Sequence, residues 1–191
     1  MPRVLVPLAG GFEEIEAVTV IDLLRRADIE VIAASLEPGR VKGSHDIALE
    51  PDMELDAALA GDFDMIVLPG GMPGAANLAA DPRIIAVLRR MAEDGRPTAA
   101  ICAAPSVLAK AGLLDGRRAT SYPGFLSADS APGIRLTDEP VVSDGTVITS
   151  RGPGTAMDFA LSLIEHLQGP AVRRRVEGAL QRPAATPLTE G

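Results

Sequence analysis

Cys102 is the only cysteine in the chain, and it ends the apolar run of AAICAAPSVLA, residues 99–109. A thiolate is a potent nucleophile near neutral pH, but free cysteine is also among the most buried residue types and often only fills space. Position bears on the choice. Pro105 follows three residues later and suits the first turn of a helix, so Cys102 stands where a strand stops and a helix starts. The free N–H groups and partial positive charge of a helix start would hold its pKa well below that of a free thiol. Ala100, Ala103 and Ala104 leave room for a sharp turn like a hydrolase nucleophile elbow, although the flanking glycines of that motif are missing. On these residues alone, nucleophile and inert thiol stand at even odds.

Two other stretches carry candidate chemistry. LPGG, residues 68–71, reads either as a strand-ending turn or as a loop that aims a backbone N–H at a developing oxyanion. GGFEEIE, residues 10–16, opens a helix with three glutamates. The helix macrodipole accounts for Glu13 and Glu14. Glu16 differs, because helical spacing aligns it with Val20, Leu23 and Ala27 on an apolar stripe, although periodicity does not settle its burial in a helix apolar on nearly every side from 15 to 24. A carboxyl half-buried beside a thiolate has its pKa raised by desolvation and like charge, stays protonated at neutral pH and can serve as a general acid. The histidines, His45 in GSHDI and His166 near the end of a late helix, adjoin neither group in sequence, so a Cys–His pair has no support.

The elements that must position these residues alternate. Strands are expected at 3–8, 29–35, 64–68, 97–102, 117–122 and 146–150, with short strands or a hairpin over 40–54. Helices are expected at 13–27, 81–95, 104–112 and 154–169; Asp81 as N-cap, Pro82 at N1 and Gly95 at the stop frame the second. Strand runs that are apolar throughout and spaced by helices predict an α/β fold, a mostly parallel sheet covered on both faces. Ligands of such sheets bind outside the carboxyl ends of the strands, which points to AGGFEE, PGGMPG and CAAP. Residues 1–182 read as one domain and 183–191 as a flexible tail.

Composition narrows the function. With 191 residues the chain suits one domain able to bury a sizeable core. Its formal net charge of −8 argues against a nucleic-acid or anionic-membrane partner, and Arg173, Arg174 and Arg175 read as a solvated helix face. One cysteine excludes an intrachain disulfide framework and a Cys-rich zinc site, and fits a reducing cytosol. Glu13, Glu14 and Glu16 come too soon for a signal peptide, and no apolar run approaches the ~18–20 residues of a bilayer span. The expected location is cytoplasmic.

GGFEEIEAV, IVLPGG, AAICAAP and TSRGPGTAMDFAL occur here in the order found in the ThiJ/PfpI superfamily, and the chain resembles the branch that holds the parkinsonism-associated protein deglycase and bacterial YajL. The resemblance covers residues 3–170. It implies a flavodoxin-like three-layer sandwich that forms a homodimer. It puts Cys102 on the reactive cysteine, Glu16 on the carboxyl that hydrogen-bonds it, and Gly71 and Ala103 on the oxyanion donors. Gly70 and Tyr122 fall in the substrate pocket, while Arg26 and His45 approach the partner's cysteine pocket across the dimer. Tyr122 stands where many members carry histidine, and His45 where arginine is common. The absence of a His-x-Glu element discounts the amidotransferase and protease readings.

The implied function is a cofactor-independent, metal-free cysteine enzyme acting on small reactive dicarbonyls such as methylglyoxal, or on early glycation adducts. The alternatives are a redox-sensing stress chaperone that uses Cys102, and a hydratase or hydrolase of an unrelated small molecule; the isocyanide-type hydratase is disfavoured because its first-loop acid is an aspartate.

Overall fold

The computed structural model describes residues 1–182; the expected tail at 183–191 lies outside the described residues. In chain order the elements are β1 (Arg3–Leu8), α1 (Glu14–Arg26), β2 (Glu30–Ser35), β3 (Val41–Lys42), β4 (Ala48–Leu49), β5 (Met53–Glu54), α2 (Leu55–Ala58), β6 (Met65–Leu68), α3 (Gly74–Ala80) and α4 (Pro82–Glu93). They continue with β7 (Thr98–Ile101), α5 (Pro105–Lys110), β8 (Arg118–Ala119), β9 (Arg135–Leu136), β10 (Val141–Asp144), β11 (Val147–Ser150), α6 (Ala156–Gln168) and α7 (Pro170–Ala179).

Seven strands form one sheet in the order β10-β11-β7-β6-β1-β2-β5. All neighbours pair in parallel except β10, which returns antiparallel to β11. The chain winds outward from β1 through β2 to β5, then crosses back to β6, so the order reverses between β1 and β6. Ligands of doubly wound sheets sit at such a point.

Strand alternation divides the apolar residues into two cores. Val4, Val6, Leu8, Met65, Val67, Ala99 and Ile101 face one side, where Val20, Leu23 and Leu24 of α1 and Phe159, Leu163 and Ile164 of α6 meet them. Leu5, Ile66, Leu68 and Ala100 face the other, against Leu55 of α2, Ile84, Val87 and Leu88 of α4, and Val107 and Leu108 of α5. The result is the flavodoxin-like three-layer sandwich. Central strands buried on both faces carry no polar alternation.

Several expectations need correction. The strand expected over 117–122 is only β8, paired with β9 in a separate two-stranded sheet; residues 120–122 leave it to run past Cys102. Helix α3 and strand β10 add to the expected elements. Helix α3 begins with Gly74 and has no side-chain cap. Strand β10 had a readable signal, because Gly145 and Thr146, between two β-branched runs, form the two-residue loop of a hairpin in which Asp144 pairs with Val147. The basic triplet does lie on a helix, α7, where Arg173 pairs with Glu165 and Arg175 pairs with Asp28. Among the described residues, no helix is long and apolar enough to cross a membrane.

Candidate active site

Three loops at the carboxyl ends of β1, β6 and β7 meet around Cys102. The cysteine leaves β7 with φ of +64°, a left-handed conformation that a side chain rarely adopts and that the surrounding contacts must hold. Its N–H donates to the Ser150 carbonyl at 3.0 Å, and its carbonyl accepts the Tyr122 N–H at 2.9 Å. These bonds to β11 and to the segment after β8 fix the bend. Pro105 begins α5, as its place in the sequence requires. Cys102 is 8% exposed, open to solvent but nearly enclosed.

Glu16 lies in the first turn of α1, on the stripe with Ala17, Val20, Leu23 and Leu24, and has no exposed surface. Its Oε2 accepts the Gly70 N–H at 2.8 Å. Its Oε1 has no partner that meets hydrogen-bond geometry, and the Cys102 thiol lies close enough to influence the carboxyl. Burial pushes the Glu16 carboxyl up to about 7, against the lowering effect of the Cys102 and Gly70 contacts; the charge of Glu13 adds to the rise.

Cys102 departs from expectation. Burial first, then the charge of Glu16 and the close approach of its side chain, push the thiol up to about 12, although the N–H groups of Gly71 and Ala103 at the sulfur pull the other way. The expected depression does not appear because α5 is only six residues long and the sulfur is nearly dry. The two groups share one site, and a charge on either opposes a charge on the other.

The glycines are there for space and conformation. A Cβ at Gly70 would stand 2.7 Å from Cys102 Cβ and 2.8 Å from Glu16 Oε2. Gly71 has φ of +87°, and a Cβ there would lie 2.4 Å from the Glu13 nitrogen. Tyr122 reaches the site by its backbone; its ring is 48% exposed and stands edge-on to Phe125 at 6.1 Å between centroids.

Arg26 and His45 do not join Cys102 within this chain. Arg26 is ten residues beyond Glu16 along α1 and pairs with Asp22 at 2.8 Å. His45 is exposed, with Nδ1 2.9 Å from Glu14 Oε2 and 3.8 Å from Glu13 Oε1. Its own N–H donates to Glu14 Oε1 at 2.6 Å. Glu13 and Glu14 therefore do more than complement a helix dipole: both are buried. Burial acts to raise the Glu14 pKa, but its hydrogen bonds to His45 and Ile47 win and hold it down at about 2. The E-x-x-E spacing from N-cap Glu13 to N3 Glu16 was the available signal, since it is a variant of the capping box.

Comparison with known proteins agrees with this geometry. The DJ-1/PfpI family pattern matches residues 2–166. Protein dj-1beta of Drosophila melanogaster is 44% identical over 166 residues, covering 86% of this chain and 89% of its own length. Its crystal structure superposes with a TM-score of 0.90 at 40% identity, covering 96% of this chain and 99% of that one. Deglycase PH1704 of Pyrococcus horikoshii is 34% identical over 151 residues, 79% of this chain and 90% of its own. Two Arabidopsis thaliana relatives, Protein DJ-1 homologs B and A, are 41% identical, but the chain spans only 38% and 43% of their lengths. The chain belongs to the DJ-1/PfpI family.

Proposed function

We propose that the chain is a cofactor-independent cysteine enzyme for small reactive dicarbonyls, converting methylglyoxal to lactate or removing the same carbonyl from early glycation adducts. The observation that carries this reading is a wholly buried Glu16 whose carboxyl is held by the Gly70 N–H and lies beside the Cys102 thiol. The names of the archaeal relatives point the same way.

Cys102 sulfur adds to the aldehyde carbon, and the thiol proton passes to the oxygen, giving a hemithioacetal. The N–H groups of Gly71 and Ala103 stabilise the oxyanion as the bond forms. Glu16 removes the hydrogen from that carbon as a proton and returns one to the neighbouring ketone carbon, while the hydroxyl proton passes to the ketone oxygen, leaving a lactoyl thioester. Water hydrolyses the thioester to lactate and restores the thiol. A carboxyl that titrates near pH 7 suits a group that must both take and give a proton.

Ile15 and Val18 on α1 and Ile47 between β3 and β4 expose apolar surface that a second copy would cover, in keeping with a homodimer in which Arg26 and His45 approach the partner's pocket. The test is turnover of methylglyoxal by the purified protein, read as lactate formed. Cys102→Ala must abolish it; lactate formation undiminished in that variant would overturn the reading.

Redox sensing is the second reading, favoured by one observation: a sulfinate at Cys102 would find a protonated Glu16 and two N–H donors already in place. Mass spectrometry after mild peroxide treatment separates the two, since a sensor accumulates the sulfinate at Cys102 while methylglyoxal turnover is absent.

A further inference from the structure

Glu13 is the N-cap of α1, a position that favours short side chains such as Ser, Thr, Asp and Asn. It is 6% exposed, and its Oε2 accepts the Glu16 N–H at 2.7 Å. That bond is half of a capping box. In the usual box, the N3 carboxyl returns to the N–H of the N-cap residue. Here N3 is Glu16, and its carboxyl goes elsewhere. Gly70 has entered the box: its N–H donates to Glu16 Oε2 at 2.8 Å, and its carbonyl accepts the Glu13 N–H at 2.9 Å. Both orphan donors are satisfied, and Glu16 is free to face Cys102.

We infer that Glu13 is a positioning residue, whose side chain on the Glu16 N–H and whose own N–H on Gly70 keep the Glu16 carboxyl turned toward Cys102 instead of back onto its helix. The inference rests on the reading that Glu16 and Cys102 act as a pair. A serine would cap the helix as well. The glutamate adds a negative charge beside Glu16, which favours the protonated carboxyl there and shifts the balance of negative charge in the pair toward the sulfur. The titratable groups facing Glu16 are Glu13 from its own helix end and Cys102 from the turn after β7. Glu13 in turn is faced by His45 from the loop after β3, which is itself bound to Glu14.

The test is the pH dependence of Cys102 alkylation by iodoacetamide, measured on the full chain with a thermal melt of each variant. Glu13→Gln and Glu13→Ser keep a neutral acceptor for the cap. Each is expected to melt close to the wild type, to alkylate about threefold more slowly above pH 8, the effect of roughly half a pKa unit, and to move the Glu16-controlled midpoint to lower pH. Glu13→Ala is expected to lose the cap as well and to melt lower. If Glu13→Gln and Glu13→Ser give alkylation profiles superimposable on the wild type, Glu13 is a helix cap and nothing more. Alkylation requires no dicarbonyl turnover, so absent lactate with a shifted profile overturns the proposed reaction while leaving the positioning role intact.

Discussion

Gly70 donates its backbone N–H to Glu16 Oε2 at 2.8 Å, while the space where its side chain would be lies 2.7 Å from Cys102 Cβ. One glycine thus fixes the acid and admits the thiol, and neither job tolerates a methyl group. The neighbours it would strike include the Ile101 carbonyl oxygen at 2.9 Å, which is backbone and cannot swing aside.

Gly70→Ala is therefore expected to move the β6 loop away from Cys102. Overpacking of this kind costs ~1–3 kcal/mol of stability. Displacement of a catalytic group by an ångström costs about 10²-fold in rate, so turnover should fall by at least that much. A variant that folds, melts like the wild type and turns over methylglyoxal at the wild-type rate would show that the loop has slack the geometry does not suggest.

Glu16→Gln separates proton transfer from architecture. The amide keeps an acceptor for the Gly70 N–H but cannot exchange a proton, so kcat should drop by ~10²-fold or more. Two further signatures follow from charge. The Cys102 thiol should titrate lower than in the wild type, because the negative charge of Glu16 that raises it is removed. Stability should also change with pH. The folded pKa of Glu16 is raised from 4.5 to about 7, so its favourable contribution is complete below 4.5 and is lost as pH rises through 7. The variant should gain relative to the wild type above pH 7, by at most about 3 kcal/mol, and not at pH 4. Thermal melts at the two pH values check the sign.

The candidate site was legible where its signals were local. Cys102 followed by Pro105 marks a strand-to-helix turn; periodicity leaves Glu16 open, because its helix is apolar on nearly every side from 15 to 24, and only the packing shows it wholly buried. What escaped depends on distant partners. Glu13 and Glu14 look like ornaments of a helix dipole until Gly70 and the 43–47 loop close on them from far along the chain. The thiol's raised pKa was missed for a related reason: a sequence shows the helix start that lowers it, but not the dry, carboxyl-lined packing that outweighs it. Helix α3 was missed because GAANLAA has neither cap nor a pronounced apolar stripe.

The Glu14–His45 clamp should have its own pH window. The Glu14 pKa is lowered from 4.5 to about 2, so its contribution is present above 4.5 and is lost as pH falls toward 2. The His45 pKa is raised from 6.5, chiefly by the hydrogen bond to Glu14, so its contribution is complete below 6.5 and is lost as pH rises through the folded value. Both are in force between about 4.5 and 6.5. The difference in melting temperature between wild type and His45→Gln should be largest in that interval and shrink toward pH 9. A difference that does not vary with pH would mean that packing, not charge, holds His45.

Tyr122 decides where the rate-controlling proton comes from. Its N–H is bonded to the Cys102 carbonyl at 2.9 Å, which holds the backbone at this position beside the site. A tyrosine, with a pKa of ~10, is a poor base near pH 7, whereas a histidine near 6.5 is a good one. The wild-type pH–rate profile is therefore expected to show one limb near 7, owned by Glu16. That limb should survive His45→Gln and vanish in Glu16→Gln. Tyr122→His should raise kcat and add a second limb near the ordinary histidine pKa of ~6.5. Gly152 leaves the space the ring now fills, since a Cβ there would lie 3.3 Å from Tyr122 Cδ2, and the smaller imidazole fits without displacing backbone. No gain from Tyr122→His, together with a limb that disappears in His45→Gln, would move the proton relay away from Glu16 and onto His45.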